Sequence, residues 1–374
     1  GTKLTANSYL VISNTPSTLA RQYPNITILG PFDGNLSRRS ETITLRDQYN
    51  NPSDTLRYFD GGAWPSKADA GGSTMELIDA RADNAQPGAW AGSDELSRTS
   101  WQTYTFRTTA SSSPVGNDNQ WREFIFGLLE EGEILLDDLT VTEDPDSSAI
   151  PMITNGTFNN LNTWRALGNH RDVEIIPDLD GDGSVLYLKA IGSTEHQHNH
   201  VEANLINNRR VTNGRVYEVS FRARWLSGSH LLHTRLYFNR IPHTFHLERP
   251  DLYGTPGTQN STVVSNAGPT SSDLYHFPVV PAPGESVTIS ANVTDPNGVE
   301  NLTLHYRVEG GEFTATSMSQ IGNSAKWEGS IPGQSSGNVV QFYLTSTDTL
   351  GASSFLPAEG PDSRAMYEVE DGRA

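Results

Sequence analysis

The chain has 374 residues, and its 26 Lys and Arg residues are outnumbered by 44 Asp and Glu residues, which gives a formal net charge of -18. This charge argues against nucleic acid or an anionic membrane surface as a partner, because there is no basic excess with which to displace phosphate counterions. The absence of cysteine excludes disulfides, thiolate catalysis and Cys-ligated metal centres. No run of about 18 apolar residues occurs, so we predict no membrane-spanning segment.

Short runs of alternating apolar residues, separated by Gly and Pro, predict β-strands along the whole chain. The clearest runs cover residues 9–12, 42–45, 217–225, 235–238, 286–293 and 339–344. The best helical candidate is short, at residues 17–23, with Ser17 as the N-cap and Pro24 ending it. Many short strands indicate β-sandwiches, so we predict an all-β fold of three consecutive sandwich modules, with a linker at residues 254–273.

Residues 1–97 carry a series of small motifs around tryptophan and glycine. In chain order, the motifs are Trp64-Pro65, Gly71-Gly72-Ser73, Glu76-Leu77, Asp83-Asn84 and Trp90. This order resembles the later part of the bacterial lamin-tail domain, an immunoglobulin-like sandwich of exported bacterial proteins. The resemblance implies that the opening strands of such a sandwich lie upstream of Gly1. We therefore expect an open sheet edge beside residues 9–12, which upstream sequence or a neighbouring subunit would complete.

Residues 98–253 contain two halves of a second module in an unusual order. The segment from Ile150 to Trp164, together with residues 217–225, resembles the opening half of jelly-roll carbohydrate-binding modules. The usual closing motif of such a module is a strand with Asp-Asp before a β-branched run. Here it is found at residues 134–141, ahead of the opening half. We interpret residues 98–253 as one composite jelly roll, because neither half has enough strands to close a core.

Residues 274–374 show clean alternation around Trp327 and resemble the fibronectin-III or immunoglobulin-like modules of bacterial surface proteins. The succession of a lamin-tail domain, a jelly roll and an Ig-like module resembles the region ahead of spore-coat-H-type kinase domains in very large bacterial surface proteins. That resemblance implies an extracellular or cell-surface location. The kinase itself is not in this chain.

The most distinctive segment is a run of alternating histidines at residues 195–205. On a strand, period-2 alternation would put the histidines on one face and Val201, Ala203 and Leu205 on the core side. Polar residues of the following strands would extend that face, which would suit sugar hydroxyls. The predicted ligand-binding residues are His196, His198, His200, Glu202, Arg222, Arg235, Tyr237 and Asn239. Two alternatives stay open: a site for Zn²⁺ or a similar ion at His196, His198 and His200, or a solvated polar face.

Two acidic segments are candidates for calcium. Asp178, Asp180 and Asp182 alternate as in the first half of an EF-hand loop, although position twelve is Lys189. A weaker candidate is the pair Asp137 and Asp138, by resemblance to the structural calcium site of jelly-roll modules. A solvated acidic turn is the alternative for the first segment.

No motif in the sequence makes a convincing catalytic centre. Gly333 to Gly337 matches G-x-S-x-G but precedes a predicted strand, whereas a nucleophile elbow leads into a helix. We therefore predict a non-catalytic surface protein that binds carbohydrate or another surface polymer through the jelly roll. The alternatives are a stalk or filament subunit that self-assembles through sheet edges, and a metal-dependent enzyme using the histidine strand.

Overall fold

The computed structural model describes residues 2–69, 71–111, 122–178, 180–181, 183–192, 199–236 and 239–372. These residues are nearly all β-strand or loop, which confirms the all-β prediction. The α-helix in the described part of the chain, α1, spans Pro16–Gln22 and so begins one residue before the predicted helix. Thr15, and not Ser17, occupies the N-cap, and its side chain makes no capping hydrogen bond. Short 3-10 helices lie at Ser66–Ala68, Pro87–Ala89, Leu96–Arg98, Gly168–His170, Ile206–Asn208 and Gly360–Asp362.

The chain divides into two compact units that are both discontinuous in sequence. The first unit contains Gly1–Ser66, Met75–Ser93 and Thr255–Ala374. The second contains Lys67–Thr74 and Asp94–Gly254. The segment before residue 97 is thus shared between the two units and is not a single body.

Residues 2–97 form three small two-stranded sheets in place of the one sandwich that the lamin-tail resemblance implied. The pairs are β1 (Val11–Ile12) with β2 (Ile28–Leu29), β3 (Ser40–Arg46) with β4 (Pro52–Phe59), and β5 (Met75–Leu77) with β6 (Trp90–Gly92). No described residue from 2 to 63 is buried, so the first two sheets have no core of their own. Among the described residues, β1 pairs with β2 alone.

The second unit is built on a two-layer sandwich, which we name the central sandwich. Its six-stranded sheet contains β7 (Gln102–Thr109), β9 (Gly132–Glu143), β10 (Ile150–Pro151), β12 (Glu174–Pro177), β13 (Ser184–Ala190) and β15 (Val216–Gly228). Its five-stranded sheet contains β8 (Glu123–Leu128), β11 (Arg165–Leu167), β14 (His200–Asn204), β16 (Leu231–Leu236) and β17 (Arg240–His246). The strand orders are β12-β13-β9-β15-β7, with β10 on β9, and β11-β14-β8-β16-β17. The chain passes repeatedly between the two sheets, as in a jelly roll.

One hydrophobic core joins both sheets of the central sandwich. β15 contributes Val219, Phe221 and Trp225, and β14 contributes Val201 and Ala203, as their alternation predicted. Each large side chain of this kind contributes roughly 1.5–3 kcal/mol when it is fully buried. Strands from residues 102–143 and from residues 150–246 thus share a single core.

The first unit contains a second two-layer sandwich, which we name the C-terminal sandwich. Its four-stranded sheet has the order β18 (Thr270–Phe277), β19 (Val287–Thr294), β23 (Lys326–Ile331) and β22 (Ser319–Gln320). Its five-stranded sheet has the order β21 (Thr314–Ser317), β20 (Val299–Val308), β24 (Val339–Asp348) and β25 (Ser353–Leu356), and β26 (Met366–Glu368) pairs with β24. Its core includes Ile289, Leu304, Trp327 and Phe342. Among the described residues, no helix is long and apolar enough to cross a membrane.

Candidate functional site

The outer face of the five-stranded sheet in the central sandwich is the best candidate site. On β14, His200 and Glu202 point outward because the residues between them, Val201 and Ala203, fill the core. The register places Glu202 opposite Arg165 of β11 on one side and opposite Ile125 of β8 on the other. We name this surface, from β11 across to β16, the five-strand outer face.

Arg165 is the centre of a network of polar side chains on the five-strand outer face. Its Nε donates to Glu202 Oε1 at 2.8 Å, and its Nη2 donates to Glu123 Oε1 and to Asn204 Oδ1, both at 3.2 Å. The two carboxylates are largely buried, while the Arg165 side chain remains 45% exposed. Burial and the charge of Glu202 raise the pKa of Glu123, although Arg165 opposes them. The guanidinium of Arg165 is therefore a charged hydrogen-bond donor at the surface, and Glu202, Glu123 and Asn204 hold it in place.

Two histidines lie beside this network. His200 is buried, and its Nε2 is 3.1 Å from Glu202 Oε2. His170, in the 3-10 helix that follows β11, is fully buried and accepts a hydrogen bond at Nε2 from the main-chain N–H of Leu128, at 2.9 Å. Its Nδ1 must then carry the proton that it shares with Asn169 Oδ1 at 2.6 Å. These bonds fix both the tautomer and the orientation of the His170 ring.

His170 fits over the sheet because the residue beneath it is glycine. A Cβ atom on Gly127 would lie 3.0 Å from His170 Nε2, closer than most side-chain contacts allow. Burial, together with the nearby His200, lowers the pKa of His170 from its usual value of 6.5 to about 4. The imidazole is therefore neutral at physiological pH and serves as a buried support for the five-strand outer face.

The structure brings together only part of the predicted ligand-binding set. His200, Glu202 and Arg235 share the five-strand outer face, and Asn239 lies in the exposed turn after β16 with a φ of 56°. Arg222 belongs to β15, on the outer face of the opposite, six-stranded sheet. The prediction of one continuous polar face is wrong at this residue, because successive strands of the jelly roll alternate between sheets. The members of the set outside the described residues are His196, His198 and Tyr237.

Arg222 is the centre of a second cluster, on the outer face of the six-stranded sheet. Its guanidinium lies 2.6 Å from Asp137, 3.1 Å from Asp138 and 2.9 Å from Asp178, and stacks 4.5 Å above the ring of Trp101. Adjacent residues on a regular strand face opposite sides, yet both Asp137 and Asp138 reach Arg222. A register shift in the pairing of β15 with β9 explains this, since Asp138 adopts a left-handed backbone with a φ of 51°.

The two segments predicted to bind calcium therefore lie close together, and their aspartates pair with Arg222 and Arg224. Asp180 pairs with Arg224, and a hydrogen bond from the Asp180 main-chain N–H, with a further contribution from Arg222, lowers the pKa of Asp178. Asp182 lies outside the described residues. Among the residues that the structure describes, no three His, Asp or Glu side chains are arranged to hold a metal ion. Structural calcium, and Zn²⁺ at the histidine run, both stay predictions.

Sequence reasoning missed the residues that organise the five-strand outer face. Arg165 lies in a strand of three residues, which is too short for alternation to be recognised. His170 lies in a 3-10 helix, where strand periodicity gives no signal. Glu123 could have been predicted from the sequence, because Phe124, Phe126 and Leu128 mark the core side of β8 and so place Glu123 on the opposite side.

No family model matches the chain, and no curated protein matches it. Among solved structures, the chain is similar to Br derivative BhCBM56, with 22% identity over 25% of this chain and 88% of that chain and a TM-score of 0.18. Pullulanase from Anoxybacillus sp. LM18-11 is 12% identical over 66% of this chain, with a TM-score of 0.17, and the match spans 28% of the pullulanase. The full ectodomain of mouse nectin-like molecule 4 is 10% identical over 68% of this chain and 96% of that chain, with a TM-score of 0.19. At these TM-scores the similarities carry no argument about function.

Proposed function

We propose that the chain is a non-catalytic extracellular protein that binds carbohydrate through the five-strand outer face of its central sandwich. The observation that carries the proposal is the arrangement around Arg165, whose guanidinium is fixed by Glu202 and Glu123 and yet remains open to solvent. Sugar hydroxyls both donate and accept hydrogen bonds, and they are recognised best where donors and acceptors lie side by side.

The rigidity of this network supports a binding role. A ligand that meets mobile side chains must order them, and each one costs roughly 0.5–1.5 kcal/mol of affinity. Here the carboxylates are largely buried and are held by Arg165, and His200 stands against Glu202. The charge of Arg165 is already compensated by the carboxylates of Glu123 and Glu202, which favours an uncharged polar ligand over an anionic one.

The test begins with a glycan array probed with the full chain, followed by calorimetry on the best ligand. Replacing Arg165 with Ala removes the exposed donor, and we expect at least about a tenfold loss of affinity. Arg215→Ala is the matched control, because Arg215 is also 45% exposed and also pairs with two carboxylates, Glu143 and Asp144. It lies just before β15, away from the five-strand outer face, and should leave affinity unchanged.

Two results would contradict the proposal. Equal losses in Arg165→Ala and Arg215→Ala would show a non-specific charge effect. Release of reducing ends from the bound glycan by the wild-type chain, lost in Glu123→Gln, would show an enzyme in place of a binding module, since Glu123 has the raised pKa that a general acid needs.

A structural role, as a stalk or a self-assembling filament subunit, is the second candidate. It is favoured by the small β1–β2 sheet, which has no further strand partner among the described residues and exposes Tyr9 and Ile12. Unpaired strand edges recruit strands from other chains. Analytical ultracentrifugation over a wide concentration range tests it: a strictly monomeric chain removes this candidate, whereas assembly that Ile12→Lys abolishes would favour it.

A further inference from the structure

The outer face of the four-stranded sheet in the C-terminal sandwich carries two exposed aromatic rings. Tyr275 and Phe277, on β18, are 64% and 75% exposed. They are separated by His276, which turns inward and stacks on Tyr367 at 5.5 Å. Because they are two residues apart on one strand, the rings stand about 7 Å from each other on the same face. Two neighbouring rings of this size left in water need an explanation other than packing within the sandwich.

The strand beside these rings supplies uncharged hydroxyl groups. Ser290 lies opposite Tyr275, and Thr288 lies opposite Phe277. Two carboxylates lie near these residues and both are engaged: Asp273, on β18, accepts a hydrogen bond from Asn292 at 2.8 Å, and Glu328, one strand further on, is paired with Lys326 at 2.7 Å. The surface therefore combines flat apolar platforms with small donors and acceptors, and its carboxylates are already engaged by neighbouring side chains.

We infer that this surface binds a neutral polysaccharide chain that lies along β18. The flat C–H faces of successive sugar rings would stack on Tyr275 and Phe277, and the hydroxyl groups at their rims would reach Thr288 and Ser290. A neutral ligand fits because the nearby carboxylates of Asp273 and Glu328 are already engaged by Asn292 and Lys326, and they would repel an anionic polymer. The inference goes beyond the site proposed above, since it concerns the other sandwich and shares no residue with the five-strand outer face.

The geometry of β18 disfavours a protein strand as the occupant. The pairing of β18 with β19 is interrupted between Ser272 and Tyr275, where Asp273 has a φ of 53° and binds Asn292 at 2.8 Å. Pro278 follows immediately and has no N–H to donate to a neighbouring strand. The regular edge is therefore divided into two stretches of three residues, 270–272 and 275–277, and each is too short for strand addition.

The experiment measures binding of the full chain to insoluble cellulose, xylan and mannan, with polygalacturonate as an anionic comparison. We expect binding to at least one neutral polymer, and the double variant Tyr275→Ala/Phe277→Ala should weaken it by at least about tenfold. Val279→Ser/Val280→Ser is the matched control, since these neighbouring apolar side chains are similarly exposed but offer no ring. Tyr275→Phe should retain binding. All four side chains are exposed, so melting temperatures should be unchanged.

The variants separate this inference from the proposed function. Binding that is lost in the double aromatic variant and retained in Arg165→Ala supports the surface on β18. The reverse pattern overturns it and leaves the five-strand outer face as the binding site. A wild-type chain that binds none of the polymers, an equal loss in the valine variant, or a wild-type dimer that the aromatic variant dissociates would each overturn the inference.

Discussion

Lowering the pH from about 7.5 to about 4.5 should destabilise the central sandwich through one buried group, His170. The pKa of this histidine falls from its usual 6.5 to about 4 because the folded protein buries it. The unfolded chain therefore binds a proton more tightly than the folded chain does. The contribution to the free energy of unfolding is complete above pH 6.5, declines as the pH falls towards 4, and levels off below that.

The size of the effect follows from the pKa difference. Each pKa unit corresponds to about 1.36 kcal/mol, so the linkage is worth roughly 3 kcal/mol in full and roughly 2–3 kcal/mol at about pH 4.5. Other groups also titrate in this range, so the measurement is the difference between wild type and His170→Gln. Glutamine does not titrate, and its amide oxygen can still accept the hydrogen bond from the Leu128 N–H.

The assay is urea unfolding at the two pH values, followed by tryptophan fluorescence, because Trp164 and Trp225 lie in the core of the central sandwich. The wild type should lose roughly 2–3 kcal/mol more than His170→Gln on acidification. His246→Gln, an exposed histidine on β17, is the control and should behave as the wild type. Equal pH dependence in wild type and His170→Gln would refute the assignment of a neutral, buried imidazole.

Three further predictions concern carboxylates. Arg222→Leu should lower stability by about 2 to 4 kcal/mol in urea unfolding, because the Asp178 side chain is only 2% exposed and would lose its cation; an unchanged midpoint would contradict this. Excess Ca²⁺ should raise the melting temperature relative to EGTA if it binds the folded chain at Asp137, Asp138, Asp178 and Asp180, which lie together beside Arg222 and Arg224, and superimposable curves would remove the calcium prediction. Glu76→Gln should be less stable than the wild type at neutral pH and less sensitive to acid. Burial alone would raise the pKa of Glu76, but hydrogen bonds from Thr255 and Ser261 hold it low, so the contribution of Glu76 to the free energy of unfolding is present above pH 4.5 and is lost below. Parallel pH profiles of stability in the variant and the wild type would argue against this.

The strands were predictable because a strand with one buried side alternates apolar and polar residues in its sequence. Val219, Phe221 and Trp225 alternate with polar residues, and the structure places all three in the core. Alternation identifies which side of a strand is buried, but it does not identify the sheet to which the strand belongs. Alternation therefore predicted that Arg222 and His200 share a face, whereas their strands lie in opposite layers.

The polar clusters were harder to predict because they depend on long-range register. Asp137 and Asp178 are far apart in sequence, and they meet only because Arg222 reaches both from β15. A single left-handed residue, Asp138, decides which side chains reach that arginine. Such a conformation depends on how two strands pair, and no local pattern in the sequence specifies it.

The division of the chain into two interleaved units has a consequence for its synthesis. The chain passes from one unit to the other after Ser66, Thr74, Ser93 and Gly254. A ribosome releases the chain in order, so the second unit has all of its residues once Gly254 emerges, while the first still lacks residues 255–374. The buried carboxylates of Asp79 and Glu76 accept hydrogen bonds from the main-chain N–H groups of Ala267 and Thr262, which are made later. The hydrogen bonds of Glu76 and Asp79 therefore form only after residues 186 and 188 positions further along the chain have been made.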